Sequence, residues 1–423
     1  MEQQLSLILL HSPRSVNNEE PLLARVPPTK HHYNRTFFKF FLYFVLIGLS
    51  YYFIISSFFV PPPLSLISLD SPSGNVSSKN CDLFVGDWVP DPTGPRYTNL
   101  SCNHIQDFQN CLFNGRPDEN YLFWRWKPRN CDLPKFEPSQ FLDSLRNKWL
   151  AFIGDSIARN HVQSLICILS QVEKVEEIYH DKEHRSKIWR FPAYNFTLSV
   201  VWAPFLIKSD TSSSSGIQLY LDQLDHKWTD QYSNFDYVVI SGGKWFLKST
   251  IFHENDKITG CHYCQGRYTD LGYTYSYRKA INQFHNFIQN SPHKPLVLFR
   301  TTTPDHFENG EWNTGGYCNR TMPFKQGEGK MKTEDELMHD IELEMLRKHG
   351  SGSNIRLLDT TAMSFLRPDG HPGPYRNPHP FVGVKDKKKV QRDCLHWCLP
   401  GPIDSWNDVM IETILNRNGK AEI

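Results

Sequence analysis

Residues 149–153, Trp-Leu-Ala-Phe-Ile, form a short unbroken apolar run. The run stops at Gly154-Asp155-Ser156, after which Ile157, Val162, Leu165, Ile166 and Leu169 recur at helical spacing. The first pattern predicts a buried strand and the second an amphipathic helix, so Ser156 stands where a strand hands over to a helix. Further along, residues 197–202 and 218–221 read as strands, and 237–240, 296–299 and 355–358 as buried parallel strands. Residues 275–290 and 334–348 read as helices. Thr333 and Glu336 have the spacing of a capping box, and Gly350 that of a C-terminal stop. Strands alternating with helices predict an α/β fold, a doubly wound α/β/α sandwich, whose ligand crevice lies at the carboxyl ends of the strands.

The pattern changes towards the N-terminus. Residues 1–36 are polar and irregular and read as a disordered tail. Residues 37–60 contain an uncharged run, 40–60, long enough to span a bilayer. Arg25, Lys30, Arg35 and Lys39 precede it, and only Asp70 and Lys79 follow within about twenty residues. The expectation is a single-pass, type II signal-anchor with the tail cytosolic and the remainder lumenal. Residues 61–80, rich in Pro and Ser, read as an extended stem. A cysteine-rich segment, 81–135, then precedes the α/β part, 136–423.

Composition narrows the chemistry. The net charge of +1 provides no field for nucleic acid. All ten cysteines lie beyond the proposed anchor, an even number in an oxidising compartment, which predicts disulfides. Cys261 and Cys264 form a Cys-x-x-Cys. No second Cys or His pair stands at metal spacing, so a loop-closing disulfide is expected and no metal site. Asn75, Asn99, Asn195 and Asn319 start sequons on the lumenal side and are glycosylation candidates, whereas Asn34 falls on the cytosolic side.

A second stretch, Asp393-Cys-Leu-His-Trp-Cys-Leu-Pro-Gly-Pro-Ile-Asp-Ser-Trp-Asn407, holds Asp393 and His396 three residues apart, close enough for the carboxylate to fix the imidazole tautomer. Together with Gly154-Asp155-Ser156 and the following Arg159 and Asn160, this stretch resembles the plant trichome birefringence-like family of polysaccharide O-acetyltransferases, related to the SGNH/GDSL esterases. The resemblance runs from about Cys81 to the end. It implies Ser156 as nucleophile, His396 as general base and Asp393 as its orienting partner, with Gly154, Asp155, Arg159 and Asn160 supporting the site. It also implies the pairs Cys81–Cys131, Cys102–Cys167, Cys111–Cys398 and Cys318–Cys394, which tie the N-terminal segment to both blocks.

Two loops are expected to complete the site. Where many relatives carry Asn-Thr-Gly, this chain has Ser241-Gly242-Gly243-Lys244-Trp245. That change leaves the backbone N–H groups of Gly242 and Gly243 as oxyanion donors in place of an Asn amide. The loop from Arg300 to Cys318 also resembles a family motif. Trp245, Arg300, His306, Trp312 and Trp397 are the expected substrate contacts. The function implied is Golgi transfer of acetyl from a donor such as acetyl-CoA to a hemicellulose. Gly-Cys-His-Tyr-Cys and Ser-Gly-Gly-Lys-Trp-Phe resemble the xyloglucan and mannan branch, and the run beginning at residue 191 resembles mannan acetyltransferases. Two rivals share these residues: an acetylesterase using water as acceptor, and a non-catalytic protein that binds wall polysaccharides such as pectin.

Overall fold

The structure, a computed structural model, describes residues 43–46, 81–213, 216–349, 354–386 and 389–415. The chain divides into two units, Met1–Asn75 and Val76–Ile423. In the first unit only residues 43–46 are described; they are helical and exposed. The rest of the expected tail and anchor, the stem and Asn75 lie outside the described residues. Among the described residues no helix is long and apolar enough to cross a membrane.

The second unit begins with an antiparallel pair, β1 (Asp82–Pro90) and β2 (Trp124–Arg129). A short helix, α1 (Pro138–Ser144), leads into β3 (Trp149–Gly154) and α2 (Ser156–Leu169). There follow β4 (Glu176–His180), β5 (Lys187–Phe191), β6 (Phe196–Trp202), β7 (Ile207–Asp210), β8 (Ile217–Leu224), the single turn α3 (His226–Thr229) and β9 (Tyr237–Ile240). The remainder comprises β10 (Thr250–Glu254), β11 (Lys257–His262), α4 (Gly272–Asn290), β12 (Leu296–Arg300), α5 (Thr333–His349), β13 (Ile355–Leu358), α6 (Thr361–Phe365) and α7 (Asp404–Leu415).

The central sheet has seven strands in the order β13-β12-β9-β3-β6-β5-β4. Its first five strands are parallel, and β5 and β4 extend it antiparallel. Numbered by appearance, the parallel strands run 5-4-3-1-2. The connection therefore changes direction between β3 and β9, and the crevice of an open α/β sheet forms at that switch point. Ser156 follows β3 and Ser241 follows β9, so the topology brings the two loops together.

Side chains alternate across the pleat. Leu150, Phe152, Leu198, Val200, Val239 and Leu298 face one core, which contains residues of α1, α2 and α7. Ala151, Ile153, Val201, Val238, Ile240, Val297 and Phe299 face the other, which contains residues of α4 and α5. This is the expected sandwich, with two additions. The edge hairpin β4–β5 is one. The other is a separate four-stranded sheet, β11-β10-β8-β7, which holds residues 218–221; β7 and β8 come between β6 and β9 in the chain, and β10 and β11 between β9 and β12. The capping box is corrected: α5 starts at Thr333 itself, and Asp335 and Glu336 N–H groups both donate to Lys332 O. Gly350 lies outside the described residues.

All five expected disulfides are present, Cys81–Cys131, Cys102–Cys167, Cys111–Cys398, Cys261–Cys264 and Cys318–Cys394. The cysteine-rich segment has no α-helix of its own and leans on the α/β core. Trp88 donates its indole N–H to Met363 O at 2.8 Å. Arg116 donates to the carbonyls of His371, at 3.0 Å, and Asp369, at 2.6 Å.

Candidate active site

The strand-to-helix turn after β3 is tightly packed. A Cβ on Gly154 would lie 2.5 Å from Ser241 O and 2.9 Å from its Oγ, so only glycine lets the loops after β3 and β9 close together. Asp155 is buried and caps α2, its Oδ1 accepting from Ile157 N–H at 2.9 Å. Ser156 is therefore free of capping duty. It is the first residue of α2 and is partly exposed.

The second block is held from several sides. Asp393 Oδ1 accepts from the N–H groups of Leu395, at 3.1 Å, and His396, at 3.0 Å. Its Oδ2 lies 2.8 Å from His396 Nδ1. Burial pushes the Asp393 carboxyl up, but the adjacent imidazole and these donors outweigh it and hold the group well below the usual carboxylate range. A carboxylate at Nδ1 fixes the proton there and leaves Nε2 as the bare nitrogen. Among the described residues His396 Nε2 has no hydrogen-bond partner. The ring sits edge-on to Phe108 with centroids 5.9 Å apart, between Cys394 and Cys398, both in disulfides.

Asn160 connects the two blocks. Its Oδ1 accepts from Trp397 N–H at 2.7 Å, and its Nδ2 donates to Trp397 O at 3.3 Å. The helix that Ser156 begins thus holds the peptide next to His396. From the other side His371 Nδ1 donates to His396 O at 2.7 Å. Further along the block, Asp404 accepts from Tyr97 Oη at 2.8 Å and from Ser164 Oγ of α2, and Asn407 donates to Ser164 Oγ at 2.8 Å. These two residues, singled out in the sequence only as part of the block, dock it onto α2.

Burial raises the Asp404 carboxyl to about 6, against the hydrogen bonds that lower it. A carboxyl raised in the folded state stabilises the fold below its unfolded pKa, and that contribution is lost as pH rises through the folded value. Asp404→Asn removes this titration. The thermal stability of the wild type over Asp404→Asn should therefore be largest at pH 4 and below, fall as pH rises from about 4 to about 6, and level off above that, as read by melting both proteins across that window.

The loop after β9 is buried. Gly243 has φ +137°, and a Cβ there would meet Thr302 Oγ1 at 2.5 Å. The N–H groups of Gly242 and Gly243 find no protein acceptor among the described residues. Lys244 pins the loop by ion pairs to Asp305, at 2.8 Å, and Asp335. Lys332 adds a further pair to Asp305 at 2.7 Å.

Three expected substrate contacts are corrected by burial. Arg300 is 2% exposed, and its guanidinium donates to Ser241 Oγ at 2.8 Å and Ile157 O at 3.3 Å. Desolvation lowers it to about 10, still charged at neutral pH, and it clamps the β9 loop to the start of α2. Trp397 is fully buried, stacked on His371 at 4.4 Å. His306 is buried, with Nδ1 2.7 Å from His371 Nε2 and Nε2 2.8 Å from Phe365 O. All three side chains are engaged by protein groups inside the fold. Trp245 is half-buried against Trp202 and Phe205, and Trp312 is exposed.

Asn195 and Asn319 are exposed and Asn99 half-buried. One group passed over in the sequence has the chemistry to hold a metal: Glu177, His180 and His184, all exposed on the β4–β5 edge. There Glu177 is already engaged by Lys187, at 2.9 Å, and by His180, at 3.0 Å.

Comparison with known proteins agrees with this architecture. The profile of the PC-esterase family, "GDSL/SGNH-like Acyl-Esterase family found in Pmr5 and Cas1p", matches residues 133–413, and the PMR5 N-terminal domain matches 79–132. The chain is 71% identical to protein trichome birefringence-like 26 of Arabidopsis thaliana, over 99% of this chain and 98% of the relative. It is 62% identical to trichome birefringence-like 25, over 92% and 94%. It is 42% identical to xyloglucan O-acetyltransferase 1 of Populus trichocarpa, over 82% and 86%. The geometry and these matches together show that the chain belongs to the trichome birefringence-like family of PC-esterase proteins.

Proposed function

We propose that the protein is a polysaccharide O-acetyltransferase that works through a Ser156–His396–Asp393 triad. The observation that carries this reading is the state of His396. Its Nδ1 is fixed by Asp393, its Nε2 is unpartnered, and the peptide beside it is tied by Asn160 to the helix that Ser156 begins. On this reading Nε2 takes the proton of Ser156 Oγ as the oxygen attacks the acetyl carbonyl of the donor. Gly242 and Gly243 N–H groups stabilise the developing oxyanion. The donor's bond to acetyl breaks and His396 gives its proton to the leaving group. A sugar hydroxyl then attacks acetyl-Ser156. Its proton passes through His396 to the departing serine oxygen, so enzyme and proton count are restored.

The acceptor is a hemicellulose, mannan or glucomannan first and xyloglucan next, and the reaction takes place on the lumenal side of a Golgi membrane entered by one N-terminal helix. The likeness of the run beginning at residue 191 to mannan acetyltransferases supports the first acceptor. The names of the Populus relatives support the second. The full chain, given an acetyl donor and deacetylated glucomannan, xyloglucan and xylan oligosaccharides, is expected to acetylate glucomannan fastest and xylan slowest. Release of acetate with no acetylated oligosaccharide would replace this reading with an esterase, and binding without turnover would replace it with a wall-binding protein.

A further inference from the structure

Three cations converge on two indoles beside Ser156. Arg159 lies one helical turn beyond Ser156 on α2, on the same face. Its guanidinium sits over the ring of Trp202 at 5.0 Å, and that of Arg185, from the turn between β4 and β5, sits over the same ring at 5.2 Å. Trp202 meets Trp245 edge-on at 5.4 Å, and Lys248 Nζ lies 3.6 Å from the centroid of Trp245. The three charges come from three separate segments of chain.

None of the three forms an ion pair or a side-chain hydrogen bond with a protein group among the described residues, and Arg159 Nε is buried without a partner. This contrasts with Lys244 and Lys332, each of which is neutralised by two carboxylates. The nearby acids are Asp155, whose Oδ1 accepts from Ile157 N–H, and Asp181, whose two oxygens accept from the N–H groups of Arg185 and Ser186. Desolvation and the charge of Arg185 depress both Arg159 and Lys248. Asp155 and Asp181 offset part of that charge, but neither pairs with any of the three cations, and like charges held together without a paired carboxylate at the edge of a site are arranged for an anion that arrives from outside. A cleft of about 440 Å³ opens past Arg185 and Trp202, its wall carrying Lys227 and the Glu177-paired Lys187 together with Asp181 and Glu183, a size suited to a small-molecule ligand.

We infer that Arg159, Arg185 and Lys248, mounted on the Trp202–Trp245 pair, bind the phosphate groups of a phosphorylated acyl donor, acetyl-CoA being the donor of that chemistry to test. The inference rests on the acetyl-transfer reading, in which the acceptors are neutral glycans and the anion belongs to the donor. Three cations from three segments match several phosphates rather than one carboxylate, and guanidinium groups suit phosphate oxygens.

The test compares acetyl-CoA with S-acetylpantetheine, which carries the same thioester without phosphates. The full chain and its Arg185→Gln/Lys248→Gln variant are each followed by the rate of acetyl-Ser156 formation. The wild type should favour acetyl-CoA. The variant should lose at least about tenfold in kcat/KM for acetyl-CoA, the effect of one charge-assisted contact, and keep its rate with S-acetylpantetheine. Added salt should slow the wild type with acetyl-CoA alone. Equal loss with both donors would mark the cluster as structural and overturn the inference. So would no loss with either donor, or a loss confined to the KM of the acceptor. Acetylation by S-acetylpantetheine but not by acetyl-CoA would overturn the inference and leave the reaction standing, whereas no acetyl-Ser156 from either donor would remove the reaction itself.

Discussion

Replacing Ser156 by Ala is expected to abolish acetyl transfer and leave the fold unchanged. The hydroxyl is the proposed acyl carrier, and loss of such a nucleophile costs on the order of 10⁶ in kcat in serine hydrolases. The fold should not notice. The side chain of Asp155 caps α2, and Ser156 is partly exposed, so the change in stability should stay within about 0.5 kcal/mol. The decisive measurement is mass spectrometry after brief exposure to donor alone. One acetyl group should appear on Ser156 in the wild type and nowhere in Ser156→Ala. A direct transfer from donor to acceptor makes the opposite forecast: Ser156→Ala would keep substantial rate, and no acetyl-serine would be trapped.

Much of the scaffold around that serine was legible because the signals are local. Buried parallel strands such as Tyr237–Ile240 and Ile355–Leu358 appear as bounded apolar runs, and their ends in the structure coincide with the ends of the runs. The disulfide pairing was a different kind of knowledge. Four of the five pairs came with the family resemblance, because cysteine spacing alone leaves many connectivities open, whereas Cys261–Cys264 was expected from its own Cys-x-x-Cys spacing. The inserted sheet was not legible. Its strands β8 and β10 pair in parallel across an intervening strand of the central sheet, and nothing local in residues 217–224 distinguishes membership of one sheet from the other.

The misassigned site residues share one cause. Arg300, His306 and Trp397 are residue types that suit a glycan, and they stand in the right motifs, but burial is a tertiary property. Arg300 spends its charge on Ser241 and Ile157 O beneath the loops. His306 and Trp397 are both packed against His371, which donates to His396 O. These residues shape the site from behind. Asn160 was assigned to the site from its motif. Its bidentate grip on Trp397, 237 residues away in sequence, could be found only in three dimensions.

Asp393→Asn is the second large expected effect, and the structure explains why a nearly isosteric change should be costly. Asp393 uses one oxygen for two backbone N–H groups and the other for His396 Nδ1. An Asn side chain can keep its carbonyl on the backbone pair, which preserves the loop. Its amide N–H₂ then faces Nδ1, where only a bare nitrogen can accept. The His396 proton moves to Nε2, the nitrogen that must receive the serine proton. The same tautomer reversal in a serine protease costs about 10⁴ in kcat, and a loss of about 10³–10⁴ in the rate of acetyl-Ser156 formation is expected here. The melting temperature should change little, because the loop keeps its two backbone hydrogen bonds and its flanking disulfides. Combining Asp393→Asn with Ser156→Ala should cost no more than Ser156→Ala alone, since the residues act as one unit. If Asp393→Asn retained wild-type acylation, His396 would have to work without a fixed tautomer, and the triad would lose its third member.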